Sequence, residues 1–230
     1  MASRNAPAYE QEFAMEARRQ IHLDGWERRA AFDFFKDFTE PYHGVCVRID
    51  CTATYRYAKQ HNLSVFLSLM HRSLVASHQV ENFRTRIVDG NVWRYEQING
   101  GSAVGRANGS IGMGHYQFRQ QIDEFVREGS VELDRVKRRD DIERYPEANL
   151  IRYSVLPWFD FTSISHARDF LRQDSAPRIT FGKITDLNGR CTMPLSIQVH
   201  HGLADGLHVA QFVEKFELAL DCPDSLPFPR

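Results

Sequence analysis

The chain has 230 residues, 42% of them apolar and 26% charged, the balance of an ordinary globular protein with room for one large domain or two small ones. Its 29 basic residues nearly cancel its 30 acidic ones, so there is no electrostatic footprint for nucleic acid or an anionic membrane surface. No apolar run approaches membrane-spanning length, and Cys46, Cys51, Cys191 and Cys222 form neither a CxxC pair nor a zinc spacing; reduced thiols and a cytoplasmic location are expected.

In chain order, residues 1–18 read as a loosely held extension, 19–221 as one domain and 222–230 as a tail. Strand-like alternation covers 19–24, and a helix is expected over 26–38 with Trp26, Phe32, Phe35 and Phe38 on one face. Residues 44–53 alternate as a strand, and 64–78 read as a buried-face helix capped by Ser64. Asp89-Gly90 marks a hairpin over 83–98. The glycine-rich "NGGSAVGRANGSIGMG" at 99–114 reads as a loop, and 116–139 as an amphipathic helix broken near Gly129. A strand over 149–166, a hairpin turning at Asn188-Gly189 within 177–206, and a helix over 207–220 complete a mixed α/β domain.

The densest chemical signal is "QVHHGLADGLH" at 198–208. Strand alternation sends Val199 and His201 to one face and Gln198 and His200 to the other. Asp205 is placed to cap the helix that follows. A histidine at a strand end beside a capped turn is held rigidly, and a pKa of about 6.5 suits it to general-base work near neutrality. Two imidazoles and a carboxylate could also hold a metal, but adjacent strand residues diverge, and no metal is expected.

The HHxxxDG motif before an amphipathic helix resembles the chloramphenicol acetyltransferase family. So do "MPLSIQVHHGLADGLHVAQF", "YSVLPWFDFTS", the "TFGK" of 180–183, "GWERRAAFDFF" and "FRTRIVDG", in the same order and with similar gaps from about residue 20 to 220. The resemblance implies a two-layer α/β sandwich, a mixed sheet with helices packed on one face. It implies acetyl-CoA as cosubstrate, a small-molecule hydroxyl acceptor, and a homotrimer with active sites between subunits. His201 would be the general base, Ser154 the oxyanion donor and Thr180 a helper through a bound water. Asp205 and Arg28 would form a structural ion pair. Trp158 and Lys183 would lie near the coenzyme, and Phe35, Pro41 and His166 in the acceptor pocket.

The departures gather where the acceptor would bind. "NGSIGMGHY" at 108–116 stands in place of a bulky family stretch, Pro41 in place of a cysteine and His166 in place of a leucine. Chloramphenicol or another hydroxyl compound is therefore left open as acceptor. A dihydrolipoyl-type acyltransferase core, which shares the fold and an HxxxDG motif, and a non-catalytic small-molecule binder of the same fold are the alternatives.

Overall fold

The computed structural model describes residues 17–143, 145, 147–170, 174–226 and 228, so most of the expected N-terminal extension lies outside the described residues. One edge of the main sheet is a long antiparallel pair, β2 (Tyr42–Asp50) and β10 (Arg190–His200). To it are added β8 (Arg178–Phe181), β7 (Leu150–Val155), β5 (Asn99–Gly105) and β6 (Ile111–Tyr116), in the order β2-β10-β8-β7-β5-β6; β9 (Thr185–Leu187) pairs with the start of β10. The β7 pairings with β5 and β8 are parallel and the others antiparallel, a mixed sheet. A second sheet of three strands, β1 (Arg18–Gln20), β4 (Asn91–Tyr95) and β3 (Thr85–Val88), holds the chain start.

Alternation decides which face is dry. Tyr153, Ile179, Phe181, Leu195, Ile197 and Val199 point to the same side and join the main core. The helices α2 (Thr52–Gln60), α3 (Val65–His78), α4 (Ile122–Arg138) and α5 (Gly206–Asp221) cover that side. Helix α3 is buried along nearly its whole length, and Ser64 caps it as expected, its hydroxyl accepting from Leu67 N at 3.4 Å. Two buried arginines, Arg86 of β3 and Arg72 of α3, are spent on backbone carbonyls. Arg86 donates to those of Phe83, Thr85, Ala148 and Leu150, and Arg72 ties Pro223 and Ser225 to α3.

Several expected elements differ. The glycine-rich 99–114 segment is a β-hairpin, not a loop: β5 and β6 turn at Asn108-Gly109, where Gly109 takes a positive φ of 80°. The glycines serve packing. A Cβ on Gly112 would collide with Arg106 and lie 2.5 Å from Val136 of α4, so helix and strand approach closely only because side chains are missing. Helix α4 runs unbroken through Gly129, where a Cβ would press on Leu67 at 3.0 Å.

The helix expected over 26–38 shrinks to α1 (Arg29–Phe35), and α2, directly after β2, had no expectation at all. The strand of 149–166 ends at Val155. Arg18, expected in the loose extension, already pairs in β1. Both hairpin turns hold, with positive φ at Asp89, Gly90, Asn188 and Gly189.

Candidate active site

Two groups of polar side chains stand out, on opposite sides of the β10 end. Strand β10 stops at His200, and His201 opens the turn to α5. Its backbone N–H donates to the carbonyl of Pro41 at 2.7 Å. Its ring lies flat on Phe35 at 4.2 Å between centroids and touches His43 at 4.4 Å. His43 faces Val199 in the register, so His201 rests on the side that alternation assigns it. Nδ1 of His201 is enclosed without a hydrogen-bond partner among the described residues, which leaves Nε2 as the nitrogen open to a ligand.

Behind the ring, Arg28 donates to the His201 carbonyl at 3.0 Å and to Asp205 Oδ2 at 2.8 Å. The Arg28 side chain is only 13% exposed, not a solvated surface charge like Arg29, which is 52% exposed and pairs with Asp24 and Asp33. Asp205 caps α5 through Leu207 N, and His208 closes the capping box. Partial burial would raise the Asp205 carboxyl, but the Arg28 hydrogen bond and the His208 ring outweigh it and hold the pKa down at about 2. The carboxylate therefore braces the turn and does not touch the His201 ring. His200 points the other way, buried edge-on against Tyr42, and burial first, then Arg168, pushes its pKa down to about 4.

The second group lies on the helix-free face. Register aligns Ser154, Thr180, Ser196 and Cys46 in one row across four strands. Thr180 is buried and its hydroxyl meets His166 Nε2 at 2.9 Å. Ser154 is half-buried, and no hydrogen bond among the described residues occupies its hydroxyl, so it is not a strand serine spent on backbone. Trp158 is 73% exposed and cannot be core packing; Phe159 beside it is also exposed, and its carbonyl accepts from Lys183 N.

Of the residues singled out in the sequence, the structure brings His201, Phe35, Pro41, Arg28 and Asp205 together, and separately Ser154, Thr180 and His166. Among the described residues, no hydrogen bond or ring contact joins His201 to Ser154 or Thr180. Sequence reasoning missed His43 and His208. His208 carried a signal, three residues past a capping aspartate. His43 carried none, because only strand pairing brings it to His201. Burial, then the neighbouring His201, lowers its pKa below the ordinary histidine value. No cluster of His, Cys, Asp or Glu among the described residues is arranged to hold a metal ion.

The model for the family described as chloramphenicol acetyltransferase matches residues 17–217. The chain belongs to this family. It is an acetyltransferase, similar to the chloramphenicol acetyltransferase of Proteus mirabilis at 23% identity, over 87% of this chain and 94% of that one. A solved chloramphenicol acetyltransferase superposes on the enzyme with a TM-score of 0.82 and 28% identity, covering 89% of this chain and all of the other. The fold is also that of a catalytic core of the 2-oxoacid dehydrogenase complex from Thermoplasma acidophilum, at a TM-score of 0.60 and 18% identity, covering 90% of this chain and 99% of that one. No helix of the acetyltransferase, among the described residues, is long and apolar enough to cross a membrane.

Proposed function

We propose that the enzyme transfers an acetyl group from acetyl-CoA to the hydroxyl of a small molecule, with His201 as general base and no covalent acyl-enzyme. The observation that carries this is the fixing of His201. One ring face is stacked on Phe35, its N–H and carbonyl are both tied, and Nε2 is left free. In the reaction Nε2 takes the acceptor's hydroxyl proton while the oxygen attacks the thioester carbonyl. The Ser154 hydroxyl, with Thr180 acting through a bound water, stabilises the tetrahedral oxyanion. Collapse expels the CoA thiolate, which takes the proton back from the imidazolium, and an acetyl ester and free thiol result.

Within one chain the base and the oxyanion donors stand apart. This supports a homotrimer in which His201 of one subunit faces Ser154 and Thr180 of its neighbour. The exposed Trp158 and Phe159, with Lys183 alongside, suit the pantetheine arm and phosphates of acetyl-CoA. Four free cysteines and an acetyl-CoA cosubstrate support a cytoplasmic location.

Thiol release from acetyl-CoA, measured with a panel of hydroxyl acceptors including chloramphenicol, tests the reading. His201→Ala is expected to lose about a hundred- to ten-thousand-fold in rate while staying folded. A near-native rate in that variant overturns the assignment. Light scattering that gives a monomer overturns the shared site.

A further inference from the structure

A cavity of about 710 Å³ opens on the helix-free face. Its lining holds none of His201, Ser154 and Thr180, but includes neighbours of each. Pro41 and His200 line one end, and the Pro41 carbonyl holds His201 N. On its floor are Arg152 and Arg178, one row from Ser154 and Thr180 on the same strands and the same face, roughly 7 Å along the chain. An acceptor lying here would reach the oxyanion donors of its own chain, with the base supplied by the neighbouring subunit of the proposed trimer.

The lining is cationic. Lys36, Arg152, Arg168 and Arg178 stand against Asp169 and Asp174. Asp174 is shared by two guanidiniums, Arg178 at 2.8 Å and Arg152 at 3.3 Å. Arg168 is spent on Glu40 at 3.0 Å and lies over the Tyr42 ring. Arg152 approaches Asp174 by Nε at 3.3 Å; among the described residues no hydrogen bond engages its terminal nitrogens, and its side chain is 47% exposed. Lys36 has only a loose contact with Asp33 at 3.8 Å. A positive excess is thus left facing the cavity, and Phe38 and Phe170 supply an apolar wall. The two terminal nitrogens of a guanidinium beside an apolar wall are a donor set for planar or tetrahedral anionic oxygens.

We infer that the acceptor carries an anionic group, a carboxylate or a phosphate, held at Arg152 while its hydroxyl is acetylated. This deepens the proposed acetyl transfer and rests on it. A neutral compound such as chloramphenicol leaves the cationic lining without a partner and is a poor acceptor.

The test uses matched probes with the full chain: 4-(hydroxymethyl)benzoate against its methyl ester, and glycerol 1-phosphate against glycerol. Turnover is read as thiol release from acetyl-CoA, and binding by calorimetry, so that the two readings can fail separately. A charged member is expected to exceed its neutral partner at least about tenfold in binding or kcat/KM, with the advantage shrinking in high salt. Arg152→Gln should abolish that ratio, and Arg152→Glu should invert it. The half-exposed position of Arg152 makes both changes compatible with folding. Whichever pair responds distinguishes carboxylate from phosphate. Equal binding within both pairs, or a ratio indifferent to Arg152, overturns the inference. Charge-selective binding that depends on Arg152, without thiol release from any acceptor, upholds it and overturns the acetyl transfer instead.

Discussion

At the scale of single residues, the chain separates the group that would do chemistry from the groups that hold it. The Arg28–Asp205 pair holds the turn and the carbonyl of His201, while the ring itself is left to Phe35 and His43. Asp205→Asn and Arg28→Val should therefore act alike. Each should cost about 1–2 kcal/mol, a figure discounted because the Asp205 side chain is 38% exposed, together with much of the rate. Combined, they should cost little more than either alone, because they break one interaction. Urea unfolding and thiol release on the two single variants and the double variant check this. Additive losses would show that the pair does not act as a unit. The motif's residue types exposed this device in the sequence; the partner of Asp205 lies 177 positions away and followed only from the family resemblance.

Among elements, the seam between α4 and β6 shows why a glycine-rich run that reads as a loop forms a hairpin. Composition alone makes such a run look like a loop, yet alternate glycines on one strand face also let a helix settle against the sheet. The Asn108-Gly109 pair was the legible sign of a hairpin. The reason for Gly112 was not legible, since Arg106 and Val136 reach it from distant positions. Gly112→Ala should destabilise the protein by about 1–3 kcal/mol through overpacking, because Arg106 is pinned to three carbonyls and cannot withdraw. Gly105→Ala, on the same hairpin with no atom within 4 Å of the new Cβ, should be neutral. Melting temperatures of the two variants decide the matter; equal losses would mean that strand propensity, not packing, governs the seam. Helix α2 escaped notice for a simpler reason: its strand-to-helix change falls at Cys51 with no glycine, proline or side-chain cap to mark it.

For the whole molecule, buried histidines set the acid limit. Burial before any other cause pushes His71 down to about 3, and His78 and His200 down to about 4. The unfolded chain takes up these protons near pH 6.5, the folded chain only below about pH 4, so stability falls as pH drops through that window. Each histidine forfeits on the order of 2 kcal/mol by pH 5. Asp205 and Asp141, held at about 2, titrate only below the window. Urea midpoints should be flat from pH 7 to 8.5 and fall steeply between pH 6.5 and 5; an unchanged midpoint at pH 5 would refute this. The sequence by itself determined the α/β class, both Asn/Asp-Gly hairpins, the cap of α3 and the residue types of the site, because each is written in local periodicity or a short motif. Only the tertiary structure decided that His43 meets His201, that Ser154 and Thr180 share a face away from the base, and that cationic side chains from distant segments line one cavity. Those relations depend on strand register and layer packing, which bring together residues that no spacing along the chain connects.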